Sequence, residues 1–194
     1  MDRFLLIERD GIITVRADED IVKPEQCLIL PFVSESLLHL EKQGVKPIIL
    51  SDQSKFFPGE IDQATVDDIH ETMKSIVFKD GGRIEEILTC SGDGPGGDAN
   101  GFPNPAIIQM AAQKYGFELS ETYFITSDIL SLQAGWAAGC KTGFVKTGKP
   151  YKTMKILRNS DQYPDLVTQD LLASVTRLFP LTPDDGDYTK TNNN

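Results

Sequence analysis

The sequence predicts an α/β fold of Rossmann type, in which a parallel sheet carries helices on both faces and makes three layers. Two observations predict it. Five short apolar stretches are bounded by turn residues, as buried strands are. Helical patterns separate these stretches, and alternating strands and helices favour a parallel sheet covered on both sides. The predicted strands are residues 4–7, 46–50, 84–88, 123–126 and 142–145.

Three helices are predicted between these strands. Residues 34–43 carry apolar side chains at helical spacing and stop before Gly44, a plausible helix end. Residues 65–78 repeat the pattern, with acidic side chains in the first turn, where the helix dipole favours them. Residues 105–115 begin with proline and close at Gly116.

The rest of the chain fits one domain. Residues 165–168 predict one more strand and residues 171–179 one more helix. A chain of 194 residues is long enough for a single core, so we expect one domain over 1–180 with no large cap domain. Residues 181–194 are expected to form a disordered tail, because this segment ends in a run of asparagines and shows no apolar periodicity.

Composition excludes several classes of function. The formal net charge of −10 argues against a nucleic-acid partner, which needs clustered lysine and arginine. No apolar run approaches the roughly 18–20 residues of a membrane span, and the first residues lack a secretory signal. The three cysteines, Cys27, Cys90 and Cys140, form no framework and are expected to be reduced, so the expected location is cytoplasmic.

The stretch Glu8-Arg9-Asp10-Gly11 follows the first predicted strand, where open α/β sheets place their chemistry. It resembles the first motif of the haloacid dehalogenase superfamily of phosphohydrolases, D-R-D-G. The resemblance implies an aspartate nucleophile that attacks phosphorus, and a second aspartate that protonates the leaving group and later activates water. Here the nucleophile position holds Glu8, and the acid/base position holds Asp10.

The resemblance covers about residues 4–180 and is nearest to the branch of heptose-bisphosphate and histidinol-phosphate phosphatases. Residues 48–54 resemble that branch's strand followed by T-N-Q-S-G, a loop whose first hydroxyl binds the phosphoryl group. The resemblance implies four ligand-binding candidates, which are Asp10, Ser51, Gln53 and Ser54. Asp52 and Lys55 depart from the pattern and add opposite charges to the loop.

A third family element combines a zinc loop with a lysine that stabilises the transferring phosphoryl charge. The chain keeps its P-x-P frame at 103–105, but Phe102 stands at the lysine position and Gly101 at the arginine position. Only Cys90 remains of the four zinc ligands. Because structural zinc needs four N or S ligands, no structural zinc is expected.

A fourth family element, G-D-x-x-x-D-x-x-A-G, supplies carboxylates that help to hold Mg²⁺. An ungapped match places Ser127 and Ser131 over the two acidic positions, and Asp128 is a displaced candidate ligand. Hydroxyls in place of carboxylates weaken a hard-cation site. No metal or cofactor is therefore expected in the main hypothesis.

These departures favour a catalytically degenerate pseudophosphatase that is not an enzyme and that binds a protein partner or a phosphorylated small molecule. The extra methylene of Glu8 displaces the attacking oxygen, and a misplacement near 1 Å costs on the order of a hundredfold in rate. None of Glu8, Asp10 and Phe102 is therefore expected to be competent.

Two alternatives remain open from the sequence. One is a weak or altered Mg²⁺-dependent phosphatase on a sugar-phosphate-type substrate, using Glu8 or Asp10 with Asp128 as metal ligand. The other is a protein-interaction module in which Phe102 plugs the active-site cleft.

Overall fold

The computed structural model describes residues 2–16, 21–53, 61–91, 101–148 and 150–181. The predicted tail, from residue 182 onward, and the ligand candidate Ser54 lie outside the described residues, as do residues 92–100, where the family pattern has its other zinc ligands.

Within the described residues, six strands form a single sheet in which every neighbouring pair is parallel. The spatial order is β3-β2-β1-β4-β5-β6. This order reverses between β1 and β4, which makes a topological switch point of the Rossmann kind. The predicted fold class is confirmed. The strands are β1 Arg3–Glu8, β2 Val45–Gln53, β3 Glu86–Ser91, β4 Tyr123–Thr126, β5 Lys141–Val145 and β6 Leu166–Thr168.

The described part of the chain contains six α-helices, and the helices predicted at 34–43, 65–78, 105–115 and 171–179 each correspond to one of them. Short 3-10 helices lie at Pro24–Gln26 and Leu119–Glu121. No sequence pattern predicts the helix after residue 149, which has only eight residues. The helices are α1 Val33–Lys42, α2 Gln63–Lys79, α3 Ala106–Tyr115, α4 Ile129–Ala138, α5 Pro150–Leu157 and α6 Leu171–Leu178.

Alternate residues of β1 point into different cores, as expected of a strand that is covered on both faces. Leu5 and Ile7 pack with side chains of α1, α2 and α6. Phe4 and Leu6 pack with side chains of α3 and α4. The sheet is therefore the middle of three layers. Burying these side chains is the main source of stability, at about 25 cal/mol for each Å² of apolar surface.

The carboxyl ends of β1 and β4 lie together at the switch point. The register pairs Leu6 with Phe124 and Ile7 with Ile125, which brings Glu8 level with Thr126 at the ends of the two strands. Chain segments leaving these strands meet at the same edge of the sheet, where ligands of such folds bind. None of the helices in the described part of the chain is both long and apolar enough to cross a bilayer.

Candidate functional site

Glu8 is the last residue of β1, and its carboxylate is buried at the switch point with 5% of the residue exposed. Ser131 Oγ, from the first turns of α4, donates to Glu8 Oε1 at 2.9 Å. Thr126 Oγ1 donates to Glu8 Oε2, and the backbone N–H of Ser127 reaches the same oxygen at 3.3 Å. A carboxylate offers about four lone-pair sites, so these three bonds leave one for another donor or an electrophile.

Burial sets the charge state of this carboxyl group. Desolvation raises the pKa of Glu8 to about 7, because the ionised form is poorly solvated between the sheet and α4. The positive charge of Arg16 opposes that rise most strongly, followed by the hydrogen bond from Thr126. Glu8 therefore titrates close to neutral pH, which is typical of groups that act as acids, bases or nucleophiles.

Asp10 lies two residues further on and is held by its neighbour Arg9. Arg9 Nε donates to Asp10 Oδ1 at 2.8 Å, and Arg9 Nη2 donates to Asp10 Oδ2 at 2.9 Å. Thr14 Oγ1 also donates to Asp10 Oδ1, at 3.0 Å. Because bidentate arginine–carboxylate pairs are strong and directional, Arg9 fixes the orientation of the Asp10 carboxylate.

Arg9 is only 2% exposed and extends from Asp10 to the end of β2. With its amide oxygen turned towards the donors, Gln53 accepts from Arg9 Nη2 at 2.7 Å, from Arg9 Nη1 at 2.9 Å and from Ser51 Oγ at 3.0 Å. Three of the predicted ligand-binding residues, Asp10, Ser51 and Gln53, are thus joined in one network. Ligand binding by them stays a prediction.

His70 of α2 covers the other side of this arginine. Its Nε2 lies 3.5 Å from Arg9 Nη1, and the ring is buried. Burial and then the charge of Arg9 lower the pKa of His70 to about 4, so the imidazole is neutral at physiological pH. The ring therefore packs against Arg9 as a neutral side chain.

Phe102, at the lysine position of the family pattern, is partly buried and packs against the core. Its ring centroid lies 5.8 Å from that of Phe124 on β4, and its backbone N–H donates to Asp52 Oδ2 at 2.9 Å. Cys90 Sγ donates to the other oxygen of Asp52 at 3.4 Å. Burial first, and then the charge of Asp52, raise the pKa of this thiol far above its usual value. Cys90 is consequently a neutral core residue, the opposite of the thiolate that zinc requires.

Ser127 has a buried hydroxyl without a hydrogen-bond partner, and it is the one such side-chain atom in the described ranges. Its Oγ lies 2.5 Å from the point where a Cβ on Gly11 would stand and 3.1 Å from the equivalent point on Gly148. Thr147 Oγ1 donates to the carbonyl oxygen of Gly11. The segments that follow β1, β4 and β5 therefore converge on one place.

Arg16 lies at the same place. Its Cβ and Cδ are each 3.6 Å from the Cβ point of Gly11, and its Nη1 donates to Asp128 Oδ2 at 3.2 Å. Asp128 is also the N-cap of α4, since its Oδ1 accepts from the backbone N–H of Leu130 at 2.9 Å. Both side chains of the ion pair are partly exposed, at 29% and 28%.

The acidic residues near the switch point do not fit a magnesium ion well. Mg²⁺ demands near-octahedral oxygen coordination, usually through one or two carboxylates. Glu8 is bound by hydroxyls, Asp10 by Arg9 and Asp128 by Arg16. Within the residues that the structure describes, no three acidic, histidine or cysteine side chains come together as a metal-binding group. The absence of a metal stays a prediction.

Sequence reasoning missed three residues of this site: Arg9, Arg16 and Thr126. Arg9 matches the family pattern but carries no catalytic signal by itself. Arg16 lies outside every motif, and its pairing with Asp128 spans 112 positions. Thr126 ends a predicted strand and, in the ungapped match, stands at the glycine of the fourth family element. The sequence signal that could have indicated these donors is Glu8 itself, a glutamate at the end of an apolar strand. A carboxylate that is buried there requires hydrogen-bond donors from neighbouring strands.

Comparison with known proteins identifies relatives over most of the chain. The chain is 30% identical, over 159 residues, to the D-glycero-beta-D-manno-heptose-1,7-bisphosphate 7-phosphatase of Pseudomonas aeruginosa, covering 79% of this chain and 87% of that protein. The enzyme of the same name from Bordetella bronchiseptica is 26% identical over 152 residues, covering 78% and 85%. No family model matches the chain.

Solved structures agree with these relatives. The heptose bisphosphatase of B. bronchiseptica, complexed with magnesium and phosphate, superposes with a TM-score of 0.82 at 25% identity, covering 91% of this chain and 97% of that one. The corresponding protein of Burkholderia thailandensis superposes with a TM-score of 0.71 at 22% identity, covering 92% and 99%, and shows the fold alone.

The relatives correct the functional hypothesis drawn from the sequence. Proteins similar to almost four-fifths of this chain are named phosphatases, so the prediction of a pseudophosphatase that is not an enzyme is wrong. That prediction counted each substitution as a separate loss. In the structure the substitutions fit one another, because hydroxyls at positions 126 and 131 bind the longer carboxylate of Glu8. The chain belongs to the haloacid dehalogenase superfamily, in its heptose-bisphosphate phosphatase-like branch.

Proposed function

We propose that this protein is a phosphomonoester hydrolase acting on a phosphorylated sugar, through an altered form of the family site. The observation that carries the proposal is the position of Glu8. Its carboxylate stands at the end of β1, at the switch point, and its pKa of about 7 leaves a substantial ionised fraction at neutral pH. The named relatives supply the substrate class, and a heptose bisphosphate is the first substrate to test.

In this proposal Glu8 is the nucleophile. One carboxylate oxygen attacks phosphorus, the bond from phosphorus to the sugar oxygen breaks, and an acyl phosphate forms on Glu8. Ser131, Thr126 and the Ser127 N–H hold the carboxylate in a fixed orientation, which positions the longer side chain. Water then hydrolyses the acyl phosphate, which releases inorganic phosphate and restores the carboxylate.

Asp10 is proposed as the acid that gives a proton to the leaving sugar oxygen, and as the base that later accepts one from water. Asp10 lies two residues after Glu8, and the bidentate contact with Arg9 holds its carboxylate at the edge of the site. That contact also fixes the orientation of the carboxylate for the two proton transfers.

Magnesium would supply positive charge for the phosphoryl oxygens, as its presence with phosphate in the B. bronchiseptica structure suggests for that enzyme. The carboxylates of Glu8, Asp10 and Asp128 do not fit a magnesium ion well, since each already has a partner. A cytoplasmic location is a further proposal, supported by the three free cysteines of the chain.

The test is release of inorganic phosphate by the full chain from a panel of sugar phosphates and p-nitrophenyl phosphate, in Mg²⁺ and in EDTA. We expect hydrolysis of at least one sugar phosphate and a loss of about a hundredfold or more in kcat for Glu8→Gln, which removes the nucleophile. Glu121→Gln, at an exposed position near the opposite end of the sheet, should leave kcat unchanged. Hydrolysis in neither condition, or hydrolysis that Glu8→Gln does not affect, would overturn the proposal.

A further inference from the structure

We propose that the guanidinium of Arg16 takes the place of a divalent cation at this site, so that the protein binds a phosphoryl group without Mg²⁺. The inference rests on the proposed function, because it concerns the same phosphoryl site. The carboxylates of Glu8, Asp10 and Asp128 do not fit a divalent cation, because each already has a hydrogen-bond or ion-pair partner. A dianionic phosphoryl group still needs positive charge, and the net charge of −10 makes a local cation necessary.

Arg16 is held where that charge is needed. Its side chain passes over Gly11, the residue that follows Asp10, with Cβ and Cδ 3.6 Å from the Cβ point of the glycine. The absence of a side chain at Gly11 makes room for this approach. The charge of Arg16 is also the strongest influence that keeps the pKa of Glu8 from rising further, so its field reaches the nucleophile position.

The contact with Asp128 positions Arg16 and leaves most of its donors available. Asp128 Oδ1 is occupied by the N-cap bond to Leu130, so only Oδ2 faces the guanidinium. Within the described residues, Arg16 makes this one hydrogen bond, through Nη1. A guanidinium has five N–H groups in a planar fork, a geometry that matches two oxygens of a phosphate.

Ser127 gives a second, independent indication of a ligand. Its Oγ is almost completely buried, has no partner and lies against the same glycine as Arg16. Buried hydroxyls without a hydrogen-bond partner are rare in folded proteins, and a bound ligand is one group that can supply the partner. Ser127 also precedes α4, a helix of ten residues whose amino-terminal end adds positive potential to an anion site.

The test is isothermal titration calorimetry of the full chain with inorganic phosphate, once in EDTA and once in excess Mg²⁺. We expect wild-type protein to bind phosphate in EDTA, and Mg²⁺ to change the dissociation constant by less than about threefold. Arg16→Gln should weaken binding about tenfold or more, because two charge-assisted hydrogen bonds are lost. Arg16→Lys keeps the charge and should weaken binding less.

Arg83→Gln is the matched control, because Arg83 also pairs with a carboxylate, Glu41, but lies before β3 at the other end of the sheet. It should leave phosphate binding unchanged. Phosphate binding by wild-type protein that appears only with Mg²⁺ would overturn the inference without any variant. Binding in EDTA that Arg16→Gln leaves intact would overturn it as well.

The two proposals fail in different ways. If the protein binds phosphate in EDTA through Arg16 but releases no phosphate from any ester, the inference stands and the proposed hydrolysis fails. If hydrolysis occurs only with Mg²⁺ and is insensitive to Arg16→Gln, the proposed function stands and the role of Arg16 fails. Thermal unfolding of each variant identifies any that do not fold. If a variant does not fold, phosphate binding by the wild-type protein in EDTA and in Mg²⁺ decides whether a divalent cation is needed.

Discussion

Ser131 Oγ donates a hydrogen bond of 2.9 Å to Glu8 Oε1, and so joins two positions at which this chain departs from its family pattern. The longer carboxylate at position 8 requires donors, while the hydroxyl at position 131 supplies one. A carboxylate at position 131 would instead place a second negative charge beside Glu8. The two substitutions are therefore complementary, and neither is well explained alone.

We expect Ser131→Ala to lower the free energy of unfolding by about 2 kcal/mol at pH 8, where Glu8 is ionised, because a buried charged acceptor loses a donor. The loss should be smaller at pH 5, where Glu8 is protonated. Ser36→Ala is the control, since Ser36 is equally buried but donates to the neutral carbonyl of Phe32. Urea denaturation at both pH values measures the difference, and equal losses for Ser131→Ala at the two values would contradict the assigned contact.

Glu8 itself should make the protein less stable as pH rises. Its pKa is raised from 4.5 in the unfolded chain to about 7 in the folded protein, so the folded state holds the proton more tightly between these values. The contribution of Glu8 to the free energy of unfolding is consequently greatest below pH 4.5. It falls as pH rises to 7, by on the order of 3 kcal/mol in total. Glu8→Gln removes the titration.

The measurement is the difference in unfolding free energy between wild type and Glu8→Gln at several pH values from 4.5 to 8. We expect wild type to lose stability relative to the variant across this window and to level off above pH 7. A difference that stays constant with pH would show that the folded and unfolded carboxyl groups titrate alike. Glu121→Gln, at an exposed position, should show no such trend.

The fold was predictable because strands and helices leave local patterns, whereas the site depends on distant pairs. Glu8 was placed correctly at the end of a strand from its apolar run. Its donors Thr126 and Ser131 lie 118 and 123 positions away, and a single sequence contains no information about which hydroxyl reaches which carboxylate. Each substitution by itself therefore indicates a lost catalytic group, whereas the folded chain joins them in one hydrogen-bonded site.

Arg16 illustrates a second limit. It follows the tight turn after β1, in which Ile13 N–H and Thr14 N–H both donate to the carbonyl oxygen of Arg9. This turn reverses the chain and returns Arg16 to Gly11. Neither periodicity nor motif spacing predicts that return, because turn geometry depends on backbone hydrogen bonds that leave a weak sequence signal.

His70 should make the protein sensitive to acid. Its pKa is lowered from 6.5 to about 4 by burial and by Arg9, so the unfolded chain takes up a proton in this window while the folded protein does not. Stability from this group is present above pH 6.5 and is lost as pH falls towards 4. His70→Gln keeps a similar size and removes the titration, and should therefore reduce the acid sensitivity.

Glu8 titrates in an overlapping pH window with the opposite effect on stability, so both proteins to be compared carry Glu8→Gln. The Glu8→Gln protein should lose stability between pH 6.5 and 4 relative to the double variant that also carries His70→Gln. Chemical denaturation at pH 4, 5 and 6.5 measures the effect. Parallel pH profiles for the two proteins would rule out the buried neutral histidine.

Gly11 should tolerate no side chain, for two reasons that separate variants distinguish. Its φ is +85°, a conformation that costs other residues about 1 kcal/mol, and its Cβ point lies 2.5 Å from Ser127 Oγ. Gly116 has a similar φ of +69° with nothing within 4 Å of its Cβ point, so Gly116→Ala measures the backbone cost alone. We expect Gly11→Ala to cost about 2 kcal/mol more than Gly116→Ala, because the added methyl group overpacks the site.

A double-mutant cycle then tests the contact with Ser127. Ser127→Ala alone should be neutral or slightly stabilising in the absence of phosphate, because the buried hydroxyl has no partner to lose. In Gly11→Ala it should recover most of the overpacking cost, since the colliding atom is gone, and leave only the backbone cost that Gly116→Ala reports. If Ser127→Ala recovered none of the loss caused by Gly11→Ala, the close approach of Ser127 Oγ to Gly11 would be excluded. A recovery would instead confirm that the segments after β1 and β4 meet at this glycine, where we place the phosphoryl group.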